Sequence, residues 1–143
     1  MKVLVDTSVI VQGVVTAMER FDQAASWLDR GKSGDVEMFV AAHSLAETYA
    51  TLSVMPLSPQ LTPPEVQQMI SDVASFCKVV TLSASDYETT IREMAALGIV
   101  SGGIYDALIA CAARKAGVDR LLTFNTRDFK RVWPEGETII REP

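Results

Sequence analysis

Short β-branched runs alternate along this chain with longer stretches whose apolar residues recur at helical spacing. The runs are Val3–Val5, Glu37–Ala41, Lys78–Leu82 and Leu121–Thr123, with Thr138–Ile140 expected as a closing edge strand. Between them Ser8–Met18, Phe21–Arg30, Ser44–Val54, Pro64–Phe76, Ser85–Leu97 and Ile104–Ala116 read as helices, the last apolar nearly all round and therefore buried. Strands separated by helical crossovers pair in parallel, because a parallel neighbour cannot be reached through a tight turn. The predicted fold is α/β, three layers (α/β/α) around a mainly parallel central sheet of four to five strands. Residues 1–143 are expected to form one domain. Four of the six prolines fall between Met55 and Pro64, a rigid connector whose flanks remain globular in composition.

The charges in this frame are unusually placed. Asp6 is the only charged residue from Val3 to Met18, and sits where the first strand runs into Thr7 and Ser8. Glu47 is the only one between Glu37 and Glu65, and Asp106 the only one between Glu93 and Arg114. A carboxylate in a segment built for burial is unfavourable by several kcal/mol unless a cation or hydrogen-bond donors offset it. None of the three has a basic residue beside it. A divalent cation held by oxygen ligands is the simplest shared partner, and an all-oxygen set without His or Cys suits Mg²⁺ or Mn²⁺ and not zinc.

Some of these residues also have structural readings. Ser44-Leu45-Ala46-Glu47 has capping-box spacing, which would make Glu47 a surface cap. Asp106, in a first helical turn, gains about 0.3–1 kcal/mol from the helix dipole, less than its burial costs. Ser8 and Ser85 read as helix caps. His43, the only histidine, cannot form a histidine-based metal site and is expected to be structural or to support a neighbouring ligand.

Net charge is −5, which argues against a protein that coats nucleic acid non-specifically. Arg114, Lys115, Arg120, Arg127, Lys130 and Arg131 against Asp119 and Asp128 nevertheless give residues 114–131 a net of +4, leaving −9 on the rest. Such a segment could steer a phosphate backbone. No apolar stretch is long enough to span a membrane, and Asp6 interrupts what would be a signal-peptide core. A cytoplasmic protein is expected, with Cys77 and Cys111 as isolated buried thiols.

Asp6 and the pair Asn125/Asp128 lie at strand ends, while Glu47 and Asp106 lie at helix starts, so all can converge on one edge of a parallel sheet. Here the residues carry a resemblance. Val-Asp-Thr-Ser-Val (5–9), Ser-Leu-Ala-Glu-Thr (44–48), Tyr-Asp-Ala-Leu-Ile-Ala (105–110) and Leu-Leu-Thr-Phe-Asn-Thr-Arg-Asp-Phe (121–129) resemble, in order and spacing, the motifs of the PIN domain. A compact single-domain chain of this kind is similar to the VapC toxins of VapBC toxin–antitoxin systems. The resemblance implies a metal-dependent endoribonuclease using Mg²⁺ or Mn²⁺, an RNA substrate, a cognate antitoxin and a homodimer. It further implies Asp6, Glu47 and Asp106 as metal ligands and catalytic residues, with Asp128 favoured as the fourth, Asn125 as its alternative or polar neighbour, and Ser8 and Thr123 as supporting hydroxyls. Antitoxin contacts would fall on Ser8–Arg30 and Gln60–Phe76.

Other readings have specific requirements. A PIN-fold RNA-processing nuclease would lack an antitoxin. A haloacid-dehalogenase-type phosphatase needs a second acid two residues after the strand-end aspartate, where this chain has Ser8. A receiver-like phospho-acceptor or other non-catalytic module would want an aspartate ending its central strand, and Lys78–Leu82 ends without one.

Overall fold

The computed structural model describes residues 1–143. Its core is a five-stranded, all-parallel sheet in the order β3-β2-β1-β4-β5. The strands are β1 (Lys2–Val5), β2 (Glu37–Ala41), β3 (Lys78–Val80), β4 (Arg120–Leu122) and β5 (Ile140–Arg141). Helices α1 (Thr7–Val14) and α2 (Phe21–Ser33) separate β1 from β2, and α3 (Ala42–Leu52) and α4 (Pro63–Phe76) separate β2 from β3. Then α5 (Ala84–Leu97) and α6 (Gly103–Ala116) precede β4, and α7 (Thr126–Val132) with a 3₁₀ turn at Pro134–Gly136 precedes β5.

The alternation of side chains along each strand decides the layers. Leu4, Phe39, Ala41, Leu121 and Ile140 face a core completed by Met94 of α5, the apolar side of α6 and Phe129 of α7. Val3, Val5, Met38, Val40 and Leu122 face the opposite core, with Val9 and Ile10 of α1, Ala24 and Leu28 of α2 and Val73 of α4. With both faces covered, the strands are near-continuous apolar runs, as parallel sheets require. Helix α3 sits at the carboxyl edge, where Leu52 joins Val11, Val15 and Val66 in a third cluster. Helix α1 packs close on α2: a Cβ on Gly13 would come within 2.6 Å of Leu28 Cδ1.

The expected three layers and parallel sheet are present, and β2 has its expected bounds. Local differences have local causes. Helix α2 runs past its expected end at Arg30 to Ser33, with Gly34 in the left-handed cap conformation. Ser83, not Ser85, caps α5, because its offset to Asp86 closes a reciprocal capping box. Thr62 does the same for α4, which starts at Pro63. The first helix stops at Val14, not Met18, and Ser8 lies inside it, since Asp6 holds the cap position. Strands β3 and β5 are shorter than expected, ending at Val80 and covering only Ile140–Arg141, as edge strands with a single partner.

The largest difference is the centre of the sheet. The Lys78–Leu82 run forms an edge strand, and β1 is central. The chain builds outward from β1 through β2 to β3, then returns to lay β4 on the other side of β1. That reversal opens a crevice at the carboxyl ends of β1 and β4, where open α/β sheets bind ligands.

Candidate active site

Asp6 occupies this crevice and is only 3% exposed. Its backbone N–H donates to Leu122 O (2.9 Å), which ties the end of β1 to β4. Its carboxylate caps α1. Oδ1 accepts from Thr7 N (2.7 Å), while Oδ2 accepts from Ser8 N (3.4 Å), Ser8 Oγ (2.8 Å) and Thr123 Oγ1 (2.8 Å). The two hydroxyls in turn accept from the loop beyond β4: Phe124 N donates to Ser8 Oγ (3.1 Å) and Asn125 N to Thr123 Oγ1 (3.0 Å). Ser8 and Thr123 are therefore positioning hydroxyls, and the Ser8 capping reading is replaced by this one. Burial pushes the Asp6 carboxyl above its usual range, opposed by the hydrogen bonds from Ser8, Thr123 and Thr7. With Oδ2 crowded by three donors, Oδ1 is the oxygen with room for a further partner.

Thr123→Val tests this scaffold. The methyl fills the buried space but removes a donor from Asp6 and an acceptor from Asn125 N, so unfolding stability should fall by about 1–2 kcal/mol. The urea midpoint should drop with an unchanged slope. A midpoint equal to wild type would show that the hydroxyl contributes no net stability.

Helix α3 begins directly at the end of β2, at Ala42, without an intervening loop. This corrects the capping-box reading of Glu47: the cap position is Ala41 and no side chain caps the helix. Ser44 is fully buried with its Oγ unpartnered. Glu47 thus sits beyond the first turn and reaches back to α1, accepting from Thr7 Oγ1 through Oε1 (3.3 Å). His43 Nε2 is also 3.3 Å from that oxygen, outside hydrogen-bond alignment, and has no hydrogen-bond partner. Burial raises the Glu47 carboxyl's pKa, His43 opposes the rise and the Asp6 charge adds to it.

Asp106 projects from the first turn of α6. Its pKa is pushed up to about 7, first by burial and then by the charges of Asp6, Asp128 and Glu47, with no hydrogen bond to offset them. Of the three acids in the crevice it is the one whose carboxylate accepts no hydrogen bond from the protein.

The crevice, about 360 Å³, is lined by Asp6, Thr7, Ser8, Gln12, Glu47, Asp106 and Asn125, with Val11, Thr51 and Phe124 at its walls. Asp128 lines a smaller adjoining cleft with Arg131, and Asp106 is the wall between the two. Asn125 shares the crevice with the three acids, and Asp128, in the adjoining cleft, adds its charge to Asp106. Thr7 and Gln12 carry no charge and so gave no sign in the sequence. No three His, Cys, Asp or Glu side chains come close enough together to hold a metal ion by themselves.

The basic segment is largely engaged elsewhere. Arg114 pairs with Glu93 (2.9 Å), Lys115 with Asp86 (2.7 Å) and Lys130 with Glu137 (3.5 Å), and Arg120 lies over Trp27. Arg127 and Arg131 alone of the six remain to meet a phosphate. The argument against a phospho-acceptor module also changes, since β1 is central and does end in an aspartate. Asp6 is instead committed to capping α1 and to the hydroxyls of Ser8 and Thr123.

Comparison with known proteins is consistent in direction. The family model described as the PIN domain matches residues 3–133. Ribonuclease VapC40 of Mycobacterium tuberculosis (strain H37Rv) is 32% identical over 127 residues, covering 89% of this chain and 87% of that protein. The DNA-bound VapBC structure from Salmonella typhimurium has the same fold, with a TM-score of 0.70, 20% identity and coverage of 99% and 98% of the two chains. M. tuberculosis VapC20, a sarcin–ricin-loop-cleaving toxin, matches with a TM-score of 0.65, 16% identity and coverage of 83% and 86%.

Proposed function

This chain belongs to the PIN domain family, and on that premise we propose that it is a metal-dependent endoribonuclease, the toxin of a type II toxin–antitoxin pair. The carrying observation is Asp106, a half-buried carboxyl facing three other acids with no donor. Such a group is stabilised in its charged form only by a cation from outside the protein. Asp6, Glu47 and Asp106 are the residues that would hold it, with Asn125 as a neutral oxygen on the same crevice and Asp128 reinforcing Asp106.

A bound Mg²⁺ or Mn²⁺ supplies a water of lowered pKa and neutralises charge on the phosphate oxygens. The chain's own residues divide the remaining tasks. Asp6, locked by Thr7, Ser8 and Thr123, is the rigid reference point. Glu47 and Asp106 each have a carboxylate oxygen free of protein donors, so one of them accepts the proton of the attacking water. The water attacks the phosphodiester in line and the ribose oxygen leaves, with no covalent enzyme intermediate. Arg127 and Arg131 attract the backbone that the acids repel.

The VapC40 name and the VapBC complex support an RNA substrate and an antitoxin partner. An apolar groove of about 400 Å³ between α3 and α4, lined by Leu45, Tyr49, Pro63, Pro64 and Ile70, suits an amphipathic helix of that partner. Its α4 wall falls within the expected Gln60–Phe76 region, while Leu45 and Tyr49 of α3 lie outside it. No helix is long and apolar enough to cross a membrane.

Purified protein incubated with total tRNA and rRNA is expected to cut at discrete sites with Mg²⁺ or Mn²⁺ and not with chelator. The same ions should raise the melting temperature by several degrees at 100 times the dissociation constant, where linkage contributes about 2.7 kcal/mol. An ion-independent melting temperature together with intact RNA would overturn the proposal.

A further inference from the structure

Beside the acids lies an aromatic pair that the hydrolytic chemistry leaves unused. Tyr105 immediately precedes Asp106 on α6, and its ring stacks on His43 of α3 with centroids 5.0 Å apart and planes 10° from parallel. His43 is one turn before Glu47, with Nε2 3.3 Å from Glu47 Oε1. The pair therefore joins the two helices that carry Glu47 and Asp106. Tyr105 is nevertheless 49% exposed. Tyr49 and Tyr87 are exposed to a similar extent, but Tyr105 is the tyrosine whose ring is backed by an imidazole, next in the chain to a residue that lines the crevice.

We propose that the exposed face of Tyr105, backed by His43, is a stacking platform for an unpaired nucleobase of the substrate, beside the scissile phosphate. The proposal rests on the ribonuclease reading and deepens it by naming the form of RNA taken. A flat ring presented parallel to a second ring extends naturally to a third, and every base offers a π-face. Electrostatics alone serve this protein poorly, since its net charge is −5 and half of its six clustered basic residues are ion-paired. Stacking supplies affinity that neither depends on positive charge nor fades with salt. A base can meet Tyr105 only after leaving its own helix, so the platform selects loops and single strands over duplex. Tyr105 is thus a positioning residue for a nucleotide next to the cut.

The test has a kinetic and a binding arm. On the tRNA or rRNA that wild type cleaves, Tyr105→Ala should raise KM on the order of 10-fold with kcat within about twofold, and Tyr105→Phe should restore KM. For binding, Asp106→Asn protein is titrated with labelled single-stranded RNA 8-mers of mixed sequence and with abasic 8-mers of the same length. It should prefer the base-bearing strands on the order of 10-fold. Adding Tyr105→Ala should abolish that preference, equally at low and high salt. Unchanged KM in Tyr105→Ala, or a base preference that survives it, overturns the platform while leaving the nuclease intact. Loss in Tyr105→Phe equal to that in Tyr105→Ala assigns the effect to the hydroxyl and also overturns it. Wild type that cleaves no RNA overturns the nuclease reading and the platform together.

Discussion

Asp106→Asn is expected to slow RNA cleavage by about 10²–10⁴-fold and, in the same protein freed of divalent ions, to raise the melting temperature at pH 8. The two effects share one cause. Asp106 has its pKa raised to about 7 by burial and by Asp6, Asp128 and Glu47. A carboxyl whose folded pKa lies above its unfolded value of about 4 favours the folded state when protonated. That contribution is complete below about pH 4 and is lost as pH rises to about 7. Ion-free wild type should therefore weaken over this interval, and Asp106→Asn, left with only the raised carboxyls of Asp6 and Glu47 to ionise, should weaken less. Allowing for partial exposure, the gain at pH 8 is about 2 kcal/mol, or roughly 5 °C in a chain of this size. Saturating Mg²⁺ should reverse the ranking, since wild type gains the ion's binding energy and the variant loses most of it. Thermal melts at pH 5 and pH 8, with chelator and with Mg²⁺, separate these cases. A variant less stable than wild type at pH 8 without ions would mean that Asp106 is not under electrostatic strain.

Phe129→Ala should be the most damaging single change away from the acids. Phe129 is fully buried and is among the largest side chains in the core between the sheet and α5, α6 and α7. Its truncation should lower stability by about 3–5 kcal/mol and the melting temperature by roughly 10–15 °C. The damage should reach the site as well. Helix α7 has only Phe129 and Val132 buried among its seven residues, so losing the ring releases its main attachment. Asp128, adjacent to Phe129 and facing Asp106's cleft, and Asn125, just before the helix, would lose their fixed positions. Phe129→Leu should cost far less and retain cleavage. Urea unfolding alongside cleavage at a temperature where both variants are folded checks both parts; a cost under about 1 kcal/mol would contradict the packing described.

How much of this could be read from the chain varied with the kind of information needed. Strand β2 was legible to the residue because Glu37 bounds an apolar run on one side and a helical pattern follows at once. The three isolated acids were legible because charge in an apolar segment is unusual whatever the fold. Helix α7 was not, since seven residues with four charges and two buried positions give no usable periodicity. The start of α3 was misplaced because Ser44 is an attractive cap, yet β2 runs straight into the helix and leaves that serine buried. The identity of the central strand depends on which way each crossover returns, which no local pattern encodes, and it decides that the crevice opens at the ends of β1 and β4. Likewise the contact of His43 with Tyr105 joins residues far apart in sequence, and only the packing of α3 on α6 brings it about.

The strand order has a further consequence for how the protein is made. Of the five strands the central one comes first in order, but one of its two neighbours, β4, follows Asp106 in the chain. A nascent chain that has released β1, β2 and β3 has Asp6 and Glu47, yet neither Thr123 to hold Asp6 nor Asp106 to complete the crevice. Domains fold as units during synthesis, and here the unit closes only when β4 slots beside β1. The site is therefore incomplete in any chain that lacks β4, because Asp6 then has no Thr123 to hold it.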